Sequence, residues 1–136
     1  MSNIDLSSFK GLYIQTSREY INKLRQDLEI LLKDPQNYNA INAVHISAHS
    51  LTTQAAVTGY KNVEHLCIII EKTFKKLKEE KSGATPELLS LLKDAIKSLS
   101  DCIDSIEKQD KEIDLSDINN QLESIFNRHS GLSRIS

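Results

Sequence analysis

Apolar positions recur at steps of three and four through nearly the whole chain, the spacing that puts side chains on one face of an α-helix. Ile14, Ser17, Ile21, Leu24, Leu28 and Leu31 hold such a face in a first helix expected over about 7–33, with Asp5, Ser7 and Ser8 offering capping oxygens at its start. Asp34-Pro35 ends it, because the residue before a proline is pushed out of helical geometry. A second helix is predicted over 38–57, turning Ile41, Val44, Ala48, Leu51 and Ala55 inward and closing at Gly59, which tolerates the left-handed conformation of a helix end. Val63, Leu66, Ile70, Phe74 and Leu77 define a third over 61–81. Thr85-Pro86-Glu87 reads as a helix start, with threonine as cap, proline at the first helical position and a carboxylate facing the dipole. The fourth helix, expected over 86–108, carries Leu88, Leu92, Ala95, Leu99, Ile103 and Ile106 and fades into the charged run from Glu107 to Glu112. Caps in Asp114-Leu115-Ser116-Asp117 open a shorter fifth helix over 115–128 with Leu115, Ile118, Leu122 and Ile125 on its apolar side, and Ser130 to Ser136 is expected to fray.

Nothing alternates with period two for more than a few residues, and both prolines fall between helices, so a sheet is not expected. Long helices joined by short loops favour antiparallel neighbours. The expected fold is all-α: an antiparallel up-down four-helix bundle with an additional C-terminal helix as an appendage, in a single domain spanning 1–136.

Composition narrows the function classes. With 39% hydrophobic and 26% charged residues and a formal charge of −2, the chain has no basic tract of the kind that binds nucleic acid. No run approaches the roughly 18 apolar residues of a membrane span, and the N-terminus lacks the apolar core of a signal peptide, so a cytoplasmic location without a membrane partner is expected. Cys67 and Cys102 form no CxxC pattern and are expected to be buried reduced thiols. Tyr13 and Tyr20 are expected to be packing residues, and His65 and His129 plain surface residues.

The informative stretch is AINAVHISAHSLTTQAAVTGY, residues 40–60. Beside its buried face runs a second stripe, His45, His49, Thr52 and Ala56, along the margin between core and solvent. A histidine held by packing and offered to water suits a reversible nucleophile, since imidazole is largely neutral near pH 7 and keeps one free ring nitrogen. His45 and His49 lie one turn apart and could share a metal ion with His65, but the glutamate that follows the first histidine of the zinc-protease pattern is replaced by Ile46. No metal and no cofactor are expected.

AHSL around His49, followed by Gly59-Tyr60, resembles the phosphoacceptor motif of the histidine-containing phosphotransfer (HPt) domain, particularly the N-terminal phosphoacceptor domain of chemotaxis histidine kinases. SREYINKLRQDLEILLKDPQN is similar to the first helix of that family, and Glu71 stands where the family has an acidic residue facing the histidine. The resemblance implies a phosphocarrier in a two-component histidine-to-aspartate phosphorelay. His49 would be the phosphoacceptor and Glu71 would orient it by a hydrogen bond, with Lys75 a competing partner for that carboxylate. The implied partners are a response-regulator receiver domain and a histidine kinase catalytic domain, met by a monomer that needs no nucleotide site. His45, Ala56 and Ile68 would lie on the docking surface.

Departures from the family open a second reading. The lysine three residues after the histidine and the glycine four after it are Thr52 and Thr53 here. His45 and Ile46 replace a phenylalanine and an arginine common before the histidine, and Ile68 replaces a second histidine often found on the third helix. The alternative is an HPt-like helical module that binds a receiver or kinase without carrying phosphate. Lys75, Lys76, Lys78 and Lys81 make a basic helix end, ordinarily just solvated, that could steer an acidic receiver surface.

Overall fold

The computed structural model describes the backbone of residues 2–135 and the side chains of 8–128. Five helices follow in order: α1 (Ser2–Lys33), α2 (Tyr38–Thr58), α3 (Lys61–Glu80), α4 (Pro86–Gln109) and α5 (Ser116–Ile135), with no strand among the described residues. Every stripe anticipated from periodicity is buried, from Ile14, Ser17 and Ile21 on α1 to Leu122 and Ile125 on α5, except that Leu77 is only partly covered. Each fully buried leucine or isoleucine contributes on the order of 1.5–3 kcal/mol. Cys67 and Cys102 are free thiols inside this core, and burial drives both thiol pKa values upward.

The helix ends follow the local chemistry. Asn37 caps α2 by accepting a hydrogen bond from the Ala40 amide at 2.9 Å, and Gly59 closes the helix at φ 86° with its amide donating to the Ala55 carbonyl. Thr85 caps α4 through the Leu88 amide, with Pro86 at the first position. Tyr60 offers α3 no side-chain cap. Glu112, from the connection between α4 and α5, accepts from the Val63 amide at 2.8 Å instead, while Asn62 donates to the Ile113 carbonyl. At the opposite end the Ala84 amide donates to the Pro35 carbonyl, joining the α3–α4 loop to the α1–α2 loop.

Two expectations about the termini need correction. α1 begins at Ser2, not near residue 7, so Asp5, Ser7 and Ser8 lie within it and do not cap it; no proline or glycine precedes Gly11 to halt the helix. The side chains of Asp5 and Ser7 lie outside the described residues. α5 continues past 128 to Ile135 where fraying was expected; Gly131 costs a helix only about 1 kcal/mol, and Ser136 is outside the described residues.

The packing also redefines α5. α1 lies against α2 and α4, and α2 against α3 in the most extensive contact of the molecule. α3 and α4 barely meet, and α5 packs on both. Leu115, Ile118, Leu122 and Ile125 are all buried there, and Arg128 reaches Glu87 on α4 at 3.0 Å. The fifth helix is therefore a core element covering the α3–α4 seam.

Candidate functional site

His49 and Glu71 stand near the middles of α2 and α3, far from any loop. On α2, Ala48 and Leu51 are buried within the core, which fixes the direction of the intervening margin. About 100° separates successive residues on a helix, so His45, His49, Thr52 and Ala56 fall together on the side of α2 turned toward α3. The same reasoning puts Glu71 on the flank of α3 turned toward α2, since Ile70 and Phe74 define its inward face. The Nδ1 of His49 lies 2.8 Å from Oε2 of Glu71. That contact reports the antiparallel register of the two helices, which their extensive packed interface holds in place.

A carboxylate can only accept, so the bond places a ring proton on Nδ1, and in the neutral imidazole Nε2 then keeps its lone pair free. The side chains differ sharply in exposure: 64% for His49 and 21% for Glu71. The carboxylate is held at the edge of the core while the ring projects from it. Glu71 makes this contact in preference to its helical neighbour Lys75, and no ion pair between the two occurs among the described residues. The result is an oriented imidazole with one nucleophilic nitrogen open to a partner.

The two threonines after His49 are turned away from that nitrogen's chemistry. Thr52 Oγ1 donates to the Ala48 carbonyl at 2.8 Å, and Thr53 Oγ1 donates to the His49 carbonyl at 3.1 Å. Both hydroxyl protons are thus committed to the helix's own backbone. His45, one turn before His49, is half-buried with its Nδ1 out of solvent and unpartnered. Burial depresses its pKa, followed by Lys78; Glu71 opposes, and His49 and Lys75 add to the depression. Ala56 is exposed and Ile68 half-buried on the same margin, so the residues expected at a docking surface share one face with His49.

His65 does not join them. It faces the start of α5, lining a small cleft with Asn62, Asp114 and Asn119 on the far flank of α3, and no cluster of three metal-ligating side chains occurs among the described residues. Tyr13 packs as expected, stacking on Tyr60 with ring centroids 4.9 Å apart, while Tyr20 lies under the Lys23 ammonium.

Two features had no evident signal in the sequence pattern. Phe9, Leu12 and Val57 are exposed apolar residues, at 66%, 59% and 83%, lining an open groove between α1 and α2 that begins at Thr53. They fall off the buried stripes, and an off-stripe apolar residue is the only hint a sequence gives of such a surface. Arg18 on α1 forks across to Asp104 at 2.8 Å and Glu107 at 2.9 Å on α4. These bonds hold the Glu107 carboxyl below its ordinary pKa.

Comparison with known proteins bears on the family and the fold. Residues 8–102 match the family model described as "Hpt domain". The chain is 24% identical over 121 residues to the chemotaxis protein CheA of Bacillus subtilis (strain 168), covering 88% of this chain and 18% of that protein. It therefore spans less than a fifth of that relative's length. Among solved structures, the CheA phosphotransferase domain from Thermotoga maritima superposes with a TM-score of 0.70 at 23% identity, over 74% of this chain and 96% of that one. The phosphorylated P1 domain of CheA3, in complex with CheY6 from R. sphaeroides, gives 0.82 at 14% identity, over 89% and 97%.

Proposed function

The chain belongs to the Hpt domain family, and from that premise we propose that it carries a phosphoryl group on Nε2 of His49 within a histidine-to-aspartate phosphorelay. The observation that carries this reading is the 2.8 Å bond between His49 Nδ1 and Glu71, which in the neutral ring leaves the other nitrogen without a proton on a side chain that projects into solvent. Such a nitrogen attacks phosphorus in line as the donor's bond breaks, and it later leaves as the acceptor's carboxylate attacks. The residues do no more than orient one nucleophile, so the chain acts as a carrier; the nucleotide chemistry that first charges it belongs to a kinase domain.

Its partners in this reading are a receiver domain, which supplies the accepting aspartate, and a histidine kinase catalytic domain, as the likeness to chemotaxis kinases suggests. Contact with the receiver falls on the margin of His45, Ala56 and Ile68 and extends over the apolar groove of Phe9, Leu12 and Val57. The domain acts as a monomer. No helix among the described residues is long and apolar enough to cross a membrane, and the relay proposed here is a cytoplasmic one.

The test is phosphate uptake. Incubation with phosphoramidate, a small donor that needs no docking, adds one phosphate by intact mass, stable in alkali and lost in acid. His49→Gln keeps the helical circular dichroism signal and abolishes uptake. Label persisting in that variant would move the site to His45 or His65. The commitment of Thr52 and Thr53 to backbone carbonyls favours one competing reading, a docking module that carries no phosphate. Receiver binding without uptake from any donor would select it.

A further inference from the structure

Phosphorylated His49 presents charges that α2 leaves unanswered. When the Nε2 lone pair forms the P–N bond, the donor's bond to phosphorus breaks and its electron pair departs with the donor atom. The ring, still bearing the Nδ1 proton, becomes cationic, and Glu71 offsets that charge. The phosphoryl oxygens keep their two negative charges. Within one turn of His49, α2 offers them no lysine or arginine, and the hydroxyls of Thr52 and Thr53 are engaged elsewhere.

Resting on the carrier reading, we propose that Lys75 of α3 is the positioning residue that supplies the missing cation, holding the phosphoryl group of His49 from the neighbouring helix. The contact of Glu71 with His49 shows which stretch of α3 stands opposite the histidine. Lys75 stands one turn further along α3 on the same flank. Helical side chains lean toward the N-terminus of their own helix, so Lys75 leans back over Glu71 toward His49. It is exposed and forms no ion pair among the described residues. The spacing from Glu71 by four puts Lys75 on this face, and its charge, after burial and the larger influence of Lys78, is among those that depress the His45 pKa.

The other lysines nearby are placed differently. Lys76 is paired with Glu80 at 3.3 Å and lines the cleft toward α5 with Phe126. Lys72 is turned about 100° from Glu71, onto the outer side of α3. Lys78 stands nearly a further turn along α3 from Glu71.

The experiment follows uptake of phosphate from phosphoramidate by the full chain at low and high salt, in the parent, Lys75→Gln, Lys75→Arg, Lys72→Gln and the double variant Lys75→Gln/Thr52→Lys. Removal of an exposed cation should slow uptake about two- to fivefold. Lys75→Arg and Lys72→Gln should match the parent, and Thr52→Lys should restore the rate by placing a cation one turn along α2. Salt at about 1 M should narrow the difference, since the screening length is then about 3 Å. Equal low-salt rates for the parent and Lys75→Gln would overturn the proposal alone, as would equal slowing by Lys75→Arg, which would make the effect one of shape. No uptake by the parent from phosphoramidate or a phosphorylated receiver would overturn the carrier reading and this proposal with it.

Discussion

In the proposed carrier, Glu71 contacts the ring nitrogen of His49 that takes no part in transfer, so its effect would be on orientation and on the charge of the phosphorylated ring. Glu71→Gln keeps an acceptor but loses the negative charge, and Glu71→Ala loses both. A hydrogen bond of this kind contributes about 0.5–1.5 kcal/mol, so Glu71→Ala should slow uptake from phosphoramidate by about tenfold at most, with Glu71→Gln between it and the parent. Thermal unfolding should be little changed. His45 gives a different kind of test. Its pKa is depressed in the fold, chiefly by burial, so on acidification the unfolded chain takes up the proton first. Stability linked to His45 is therefore complete above the unfolded value of about 6.5 and declines as pH falls through the interval down to the folded value. Urea midpoints at pH 7.5 and 5.5 should differ less in His45→Gln than in the parent. His49 was legible from its place on the margin stripe of α2 together with the AHSL resemblance, and Glu71 only from its match to the acidic position of the family it resembles. The Arg18 cluster was not, because its acids lie 86 and 89 residues away and no short-range spacing announces them.

Helix ends were readable where a residue has one physical role, as at Asp34-Pro35, Gly59 and Thr85-Pro86. The partner of each face was not readable. Periodicity says that Leu122 points inward, without saying that it covers a seam which α3 and α4 fail to close. Leu122→Ala should accordingly cost about 2–5 kcal/mol in chemical denaturation, as for a core position, whereas Glu123→Ala on the exposed face should stay within about 0.5 kcal/mol. A peripheral helix would give the two substitutions similar small effects. The cap on α3 escaped for a related reason. Glu112 sat in a charged run read as the fading end of α4, yet it accepts a hydrogen bond from Val63, 49 residues earlier in the chain.

The molecule as a whole carries the nitrogen proposed to react on a helix interior, at the margin of the most extensive helix–helix contact among the described residues. Its ring is fixed from the inside by a carboxylate on the second helix of that contact. Adding a group to the outer nitrogen requires no backbone dihedral to change, so the charged and uncharged forms should share one conformation. A message held this way is stored in a bond and not in a shape. Its direction of flow is then decided by mass action, through the relative concentrations and phosphorylation free energies of the proteins on either side. The same site should run backwards, draining a phosphorylated receiver, whenever the upstream supply stops.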